Sequence, residues 1–456
     1  MDLGIGFLFL FFALANGQYL PNWDSLDKRE LPRWYDENKI GIFIHWGVFS
    51  VPAFKSEWFW WYWQGSKEPD VVEYMTKNYP PNFQYAHFGP MFTAEFYDPD
   101  YWADLFQASG AKHIVLTTKH HEGYCLWPSK TSFNWNSAEV GSKRDLVGDL
   151  ASSIRKRTNL RFGLYHSLFE WFNPIHLNDA KNNYTTQDFV RTKAMPELYE
   201  LVENYAPEII WSDGDSGPDY YWNSTEFLAW LYNESKVKDT VVTNDRWGSN
   251  GVACKHGGFY TCDDRYNPGK LQNHKWENCF TIDRYSWGFR RNAKLEDFMS
   301  IEEILKTIVE TVSCGGNVLI NVGPTKEGII APIYEEKLRQ MGEWLNVNGD
   351  AIYGTQPWLF QNDTTNPNVW YTMKNESVYA ILLKWSNDFV KVSAIAESKF
   401  SEVKLIGYDD KINWNPTADS IIIDTASIKP NNVLKWVYVF EFKNVITNNH
   451  AKKNFL

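Results

Sequence analysis

The chain has 456 residues, of which 44% are hydrophobic and 22% charged. This length and balance suffice for a large globular domain with a smaller second one. The net charge of −11 and the pI near 5.5 argue against a nucleic-acid partner, which is bound through basic surfaces. Aromatic residues make up 17% of the chain and include 23 Trp, and flat apolar rings suit the C–H faces of sugars.

The start of the chain has the pattern of a secretory signal peptide. Residues 3–15 form an apolar run too short to span a bilayer, and Ala15 and Gly17 place small residues before a cleavage point at Gln18. No later stretch is apolar for long enough to span a membrane. We therefore predict residues 1–17 as the signal peptide and a mature chain without a membrane span.

Glycosylation sequons and cysteines also indicate the secretory pathway. N-glycosylation is predicted at the Asn-X-Ser/Thr triplets of Asn183, Asn223, Asn233, Asn362 and Asn375. Of the five cysteines, Cys254 and Cys262 lie close together around a Gly-Gly turn and are the candidate disulfide. The sequence thus predicts a protein of the secretory pathway, either lysosomal or extracellular.

Residues 18–355 alternate short apolar runs with helical patterns. The runs are continuous, as in strands covered on both faces of a parallel sheet. They occupy residues 40–44, 113–118, 161–165, 208–211, 240–244 and 318–322. Apolar stripes at helical spacing lie at 198–205 and 301–312. We predict an α/β fold, a TIM-like (β/α) barrel. A doubly wound open sheet is the alternative, disfavoured because no glycine-rich phosphate loop follows a strand.

Residues 356–456 have a different hydrophobic pattern. Closely spaced β-type runs, separated by Asn, Asp, Gly and Pro turns, begin near Val369, and polar residues give them partial period-two alternation. This pattern predicts a C-terminal antiparallel β-sandwich domain at 356–456, after a barrel domain at 18–355.

Polar and charged side chains follow the predicted barrel strands. In strand order they are His45, His120 with His121, His166, Asp213, and Asp245 with Arg246. Taken singly, each has a structural interpretation; Asp213 before Gly214, for example, suits a turn or a helix cap. The C-terminal ends of barrel strands, however, form one rim where catalytic groups concentrate. Convergence on that rim predicts an active site.

The motifs at these positions resemble a known family. They are His45-Trp46-Gly47, Ser56-Glu57-Trp58, Lys119-His120-His121-Glu122-Gly123, Trp211-Ser212-Asp213-Gly214, Asn244-Asp245-Arg246-Trp247, and the stretch from Pro268 through Leu271 to Lys275-Trp276-Glu277-Asn278-Cys279. Together they resemble the landmarks of the retaining α-L-fucosidases, in particular the animal tissue and lysosomal enzymes. The resemblance covers about residues 20–358. It implies an exo-glycosidase that releases terminal α-L-fucose from glycoproteins, glycolipids or oligosaccharides.

The resemblance implies a double-displacement mechanism, which needs a nucleophilic carboxylate and an acid/base. Asp213 matches the family's nucleophile, and Asp215, further into the loop, is a rival. The acid/base is expected on a loop after the fifth strand. Asp264 is favoured there and Asp263 is a further candidate, while Glu277 in the signature segment is the runner-up.

Glu277 also has a structural interpretation, as a buried carboxylate paired with Arg290 or Arg291. Cys279 is a position that the family pattern flags. We expect no chemistry from it, since a thiol with a pKa of about 8.5 stays protonated in an acidic compartment.

Substrate contacts are assigned by the same resemblance. The positions that match the family's sugar-binding residues are His45, Glu57, Trp58, His120, Tyr165 and Arg246. Trp46 and Trp211 are candidates for the apolar wall against the C5 methyl of fucose, and His121 suits either role.

Two other functions remain as alternatives. A metal-dependent barrel hydrolase would use the His-rich rim, although His45 lacks a His-X-His partner because residue 47 is Gly. A non-catalytic fucose-binding relative would be expected to lose Asp213, which this chain keeps. We expect no cofactor and no metal, a fucosylated glycan as substrate, and a homo-oligomer, a tetramer by family resemblance.

Overall fold

The computed structural model describes residues 18–214, 216–396, 398–429 and 431–446. The predicted signal peptide and Asp215 lie outside the described residues. Within them, no helix combines the length and hydropathy that a bilayer crossing requires.

Seven parallel strands form the main sheet, in the order β5-β4-β3-β2-β1-β7-β6. They are β1 (Ile40–Ile44), β2 (His113–Lys119), β3 (Arg161–Ser167), β4 (Ile209–Asp213), β5 (Val242–Thr243), β6 (Trp276–Thr281) and β7 (Gly316–Val322). Every pair of neighbours in this order is parallel. The predicted continuous apolar runs therefore belong to a sheet covered on both faces.

A short extended segment closes this sheet into a barrel. The backbone N–H of Phe259 donates to Thr243 at the β5 edge, and Tyr260 makes a parallel bridge to Trp276 at the β6 edge. Residues 259–260 thus join the two edge strands and occupy the position of an eighth barrel strand. The predicted TIM-like barrel is confirmed.

Helices pack around the barrel and precede most of its strands. They are α1 (Trp23–Leu26), α2 (Arg33–Asn38), α3 (Pro69–Asn78), α4 (Pro99–Ala108), α5 (Leu146–Arg157), α6 (Pro174–Lys181), α7 (Met195–Tyr205), α8 (Asp219–Trp222), α9 (Ser224–Asn233), α10 (Ile301–Ser313) and α11 (Pro332–Asn348). The stripes predicted at 198–205 and 301–312 lie on α7 and α10. Helix α10 is capped by Ser300, whose hydroxyl accepts from the Glu303 N–H while the Glu303 carboxylate accepts from the Ser300 N–H.

Side-chain alternation along the strands separates two cores. On β1, Ile42 and Ile44 point out toward the helices, while Phe43 points into the barrel with Tyr165 and Trp211. Inward-pointing residues of the strands therefore stack in the barrel lumen beneath its C-terminal rim.

The C-terminal region consists of two antiparallel sheets, of five and three strands, with orders β12-β15-β10-β9-β8 and β11-β14-β13. Their strands are β8 (Gln356–Asn362), β9 (Val369–Lys374), β10 (Ser377–Leu382), β11 (Phe389–Val392), β12 (Glu402–Leu405), β13 (Trp414–Pro416), β14 (Ile421–Asp424) and β15 (Tyr438–Lys443). Apolar residues of both sheets share one core, so the predicted β-sandwich is confirmed. The division between residues 355 and 356 stays a prediction.

Sequence patterns missed three strands. Most residues of β8 and β13 are exposed or half-buried. Strand β13 has no apolar run, and the run in β8, at residues 358–360, is only three residues long. Strand β6 was interpreted as part of a loop because Glu277 and Asn278 interrupt its apolar character. Both side chains are nevertheless buried and hydrogen bonded, Asn278 by donating to the Thr311 hydroxyl.

The predicted modification sites differ in their surroundings. Cys254 and Cys262 form a disulfide, the pair that the sequence favoured. Asn183 and Asn375 are exposed. The Asn233 side chain instead exchanges two hydrogen bonds with the backbone of Tyr19. Glycosylation at the five sequons remains a prediction. Asn183 and Asn375 are more accessible than Asn233.

Candidate active site

One cavity opens at the C-terminal rim of the barrel. It is lined by Phe43, His45, Glu57, Trp58, His120, His121, Tyr165, Trp211, Asp213, Arg246, Asp264, Cys279 and Trp287. Eleven of the candidate catalytic, sugar-binding and family-flagged positions thus meet at one site, although they lie on segments far apart in the chain. Trp46, Asp263 and Glu277 do not line it.

Asp213 is the last residue of β4 and is held from two sides. The Tyr165 hydroxyl donates to its Oδ2 at 2.7 Å, and Arg246 Nη1 lies 3.8 Å from its Oδ1. His121 Nε2 lies 3.5 Å from Oδ2. Burial raises the pKa of Asp213, while Arg246 and the tyrosine hydrogen bond lower it. The result is a largely buried carboxylate whose position is set by Tyr165 and Arg246, and carboxylates can act as enzymatic nucleophiles.

Asp264 stands at the mouth of the same cavity. Arg246 Nη2 donates to its Oδ1 at 2.8 Å, so one guanidinium holds Asp264 on one side and faces Asp213 on the other. The Asp264 side chain is 53% exposed, against 12% for Asp213. A pair of carboxylates in such different environments suits a division between a proton-transfer group and a nucleophile.

Asp245 and the disulfide fix the turn that carries Asp264. Asp245 Oδ2 accepts from the backbone N–H groups of Cys254 and Cys262, and Oδ1 accepts from both the backbone and the hydroxyl of Thr261. Thr261 in turn accepts from Arg246 Nε. The chain that leads into Asp264 is therefore anchored to Asp245, the second residue after β5.

Glu277 lies below the cavity, in the barrel lumen. It is on strand β6, two residues before the cavity-lining Cys279, so the prediction of a loop carboxylate is wrong for Glu277. Its Oε2 accepts from the Tyr35 hydroxyl at 2.8 Å and its Oε1 from the Trp211 indole N–H at 3.0 Å. Both oxygens are engaged away from the cavity, which favours Asp264 as the proton-transfer group.

The suggested pairing of Glu277 with an arginine is also wrong. Arg290 is paired with Asp283 and Asp297, and Arg291 donates to the Val51 carbonyl. Within the described residues, the donors to Glu277 are the neutral Tyr35 hydroxyl and Trp211 indole, and burial raises the pKa of Glu277 from 4.5 to about 7.

This shift predicts a pH-dependent stability. The folded chain retains a proton on Glu277 that the unfolded chain releases, so this stabilisation is complete below pH 4.5 and is lost as the pH rises through 7. A shift of this size corresponds to about 3 kcal/mol. Gln cannot titrate and mimics the protonated carboxyl. The free energy of unfolding of the parent should therefore fall by about 3 kcal/mol between acidic and mildly alkaline pH. That of Glu277→Gln should lack this loss, so the variant should gain about 3 kcal/mol relative to the parent over the same range, as measured by urea denaturation.

The matched control is Glu296→Gln, which changes a side chain that is 78% exposed. The pH dependence of its free energy of unfolding should equal that of the parent. A constant difference between Glu277→Gln and the parent across the range would contradict a neutral Glu277.

Trp46 is the second residue that the structure places elsewhere. Its ring packs against Phe92, Tyr97 and Trp102 in the helix-facing core. Beyond β1 the alternation continues, so His45 follows Phe43 into the barrel and Trp46 points outward. The predicted sugar-wall role of Trp46 is therefore wrong. Phe43 and Trp287, which no motif singled out, line the cavity with Trp211 instead.

The orientation of His45 follows from its neighbour Asn321. The Asn321 amide nitrogen donates to Thr281 Oγ1 and to the Trp287 carbonyl, which leaves its Oδ1 to accept from His45 Nδ1 at 2.7 Å. Burial, with His120 nearby, lowers the pKa of His45 well below its ordinary value. His45 is thus a neutral imidazole that donates through Nδ1 and presents Nε2 as a hydrogen-bond acceptor.

His121 has a similar arrangement. Ser167 donates to the Phe169 carbonyl and accepts from His121 Nδ1 at 2.7 Å, and burial lowers the pKa of this histidine as well. Glu122, which the sequence placed in a motif without a role, lies behind the pair. Its buried carboxylate is 3.3 Å from His120 Nδ1, where it can orient that ring.

Glu57 is oriented by backbone groups. Its Oε2 accepts from the N–H of Trp287 at 2.9 Å and from that of Gly288 at 3.0 Å, which leaves Oε1 for another partner. Cys279 lines the cavity as a buried thiol whose pKa is raised by burial, so it stays protonated.

Among the described residues, one group of His, Cys, Asp or Glu side chains is close enough to share a metal ion: Asp245, Cys254 and Cys262. Its two sulfurs are joined in a disulfide, so they are not available as thiolate ligands. The metal-dependent alternative therefore has no donor set at this cavity in the described part of the chain.

A barrel with two unlike carboxylates in a cavity of aromatic and histidine side chains is the architecture of a glycoside hydrolase. Comparison with known proteins gives the family. An α-L-fucosidase family model matches residues 10–350, and a model of the α-L-fucosidase C-terminal domain matches residues 361–443. The chain belongs to the α-L-fucosidase family.

Individual relatives are similar along almost the whole chain. A plasma α-L-fucosidase of Homo sapiens is 57% identical over 93% of this chain and 92% of its own length. The human tissue α-L-fucosidase is 53% identical over 91% of this chain and 90% of its own length. A Thermotoga maritima α-fucosidase, solved in complex with fucose, has a TM-score of 0.79 and 34% identity, covering 93% of this chain and 100% of that one.

Proposed function

We propose that the protein is an exo-acting α-L-fucosidase that works by retaining double displacement, with Asp213 as nucleophile and Asp264 as acid/base. The observation that carries the proposal is the bridge made by Arg246. A single guanidinium faces Asp213 and binds Asp264 in one cavity. The two carboxylates can therefore serve the same glycosidic bond.

In the first step, Asp213 attacks the anomeric carbon while Asp264 gives a proton to the leaving oxygen. The bond to the leaving group breaks as the bond to Asp213 forms, which gives a covalent fucosyl-enzyme. In the second step, Asp264 takes a proton from water, whose oxygen attacks the same carbon and releases Asp213. Tyr165 supports the nucleophile by its hydrogen bond to Oδ2.

The cavity walls fit the chemistry of fucose. The C5 methyl needs an apolar surface, which Phe43, Trp211 and Trp287 supply. The hydroxyl groups need polar partners, and the neutral imidazoles of His45 and His121 can accept from them. A site that hydrogen bonds each hydroxyl rejects sugars that lack one.

The cellular setting is a further part of the proposal. Relatives named plasma and tissue fucosidases, together with the predicted signal peptide, support a place in the secretory pathway, lysosomal or extracellular. The substrate is then a fucosylated glycan. The homo-oligomer, a tetramer by family resemblance, stays a prediction that light scattering of the purified chain measures.

Hydrolysis of an aryl α-L-fucoside, followed by NMR of the first sugar released, tests the proposal. We expect α-L-fucose to appear first and the β-anomer only by later mutarotation, since two inversions restore the configuration. The aryl β-L-fucoside is the matched control and should not be cleaved. Initial release of β-L-fucose would contradict double displacement, and no release would contradict the enzymatic function.

A further inference from the structure

A strip of tryptophans leads outward from the cavity. Trp58 lines the cavity and lies beside His121, with ring centroids 5.8 Å apart. Trp171 contacts the same histidine at 5.1 Å and Trp58 at 5.2 Å. Trp61 lies beyond them, 6.4 Å from Trp58 and 6.2 Å from Trp171. The strip therefore runs from the residues next to Asp213 to the protein surface.

Trp61 is exposed and at the same time held in place. It is 39% exposed, so part of its ring faces solvent. It begins a π-helical turn, Trp61–Gly65, and its ring lies over Gly65. A Cβ on Gly65 would come within 2.7 Å of Trp61 Cδ2 and 2.9 Å of Cε3. The absence of a side chain at Gly65 lets the indole rest against the backbone.

We propose that Trp61 forms a leaving-group subsite, on which the pyranose ring attached to fucose stacks. This inference rests on the proposed function. The cavity encloses Asp213, whereas Asp264, which protonates the leaving oxygen, is at the exposed mouth. The sugar that leaves must therefore lie outside the cavity against its rim. An exposed indole that packs against Gly65 next to that rim offers the flat apolar surface that the C–H face of a pyranose needs.

The subsite can be separated from the fucose cavity by the choice of substrate. α-L-Fucosyl fluoride has no leaving-group sugar and fills only the cavity, whereas an α-L-fucosyl disaccharide fills both. We expect Trp61→Ala to lower kcat/KM for the disaccharide by about tenfold, the order of a well-packed aromatic contact, and to leave kcat/KM for the fluoride unchanged. Trp61→Phe, which retains a ring, should recover part of the loss.

Gly65→Ala is a second variant that keeps the indole but displaces it, and it should also impair the disaccharide selectively. Phe389→Ala removes an exposed ring of the C-terminal region and should change neither substrate. Equal losses on both substrates would overturn the subsite, because Trp61 would then support the fucose cavity itself. Unchanged kcat/KM for the disaccharide would also overturn it. A parent enzyme that hydrolyses neither substrate would overturn the proposed function and the subsite with it.

Discussion

Replacing Asp213 by glycine is expected to lower kcat on an aryl α-L-fucoside by roughly four orders of magnitude, because the covalent step loses its nucleophile. The protein should remain folded. The buried carboxylate is costly to desolvate, as its raised pKa indicates, and Arg246 keeps its hydrogen bond to Asp264. Kinetics on the purified variant, with circular dichroism to check its fold, measure both expectations.

Activity restored by added azide would show that Asp213→Gly lacks the nucleophile rather than another function. In Asp213→Gly, azide can enter the vacated space and attack the anomeric carbon directly while Asp264 still protonates the leaving oxygen. A single inversion then gives β-L-fucosyl azide. The surface variant Asp239→Asn controls for the loss of a charge and should behave as the parent. Parent-like activity in Asp213→Gly would contradict the assignment.

Replacing Asp264 by asparagine is expected to have an effect that depends on the leaving group. A sugar alkoxide leaves only when protonated, so kcat/KM on an α-L-fucosyl disaccharide should fall by roughly two to four orders of magnitude. A 4-nitrophenolate leaves without protonation, so the first step on the aryl fucoside should be much less affected. Azide should restore turnover and give α-L-fucosyl azide, because Asp213 still forms the covalent intermediate.

Two control variants separate Asp264 from the other candidates. Asp263→Asn removes a neighbouring carboxylate that does not line the cavity and should resemble the parent. Glu277→Gln keeps the size of the side chain, and its effect should not depend on the leaving group. If Glu277→Gln showed this dependence and Asp264→Asn did not, the acid/base would be Glu277.

Most of the site could be predicted because it lies at strand ends. A continuous apolar run identifies a buried parallel strand, and the polar residue that follows it stands on the functional rim. His45, His120 and Asp213 are cases of this rule. It needs only local sequence, since the sheet itself brings the strand ends together.

Trp46 and Glu277 show where local patterns were insufficient. Trp46 follows His45 directly, and only the direction of the β1 side chains decides that one faces the cavity and the other the helices. Glu277 breaks the apolar pattern of β6, so its strand was not recognised. One of its two hydrogen-bond donors is Tyr35, which lies 242 residues away in the chain and outside any local sequence window.

The sequence by itself determined the barrel, the β-sandwich, the family, and most of the polar residues that line the cavity. The tertiary structure alone decided where the carboxylates lie and which groups they contact. Asp213 and Asp264 meet at one guanidinium, and Glu277 is held below the cavity by Tyr35 and Trp211. The physical reason is that the environment of a carboxylate, and hence its pKa and reach, is set by neighbours distant in the chain.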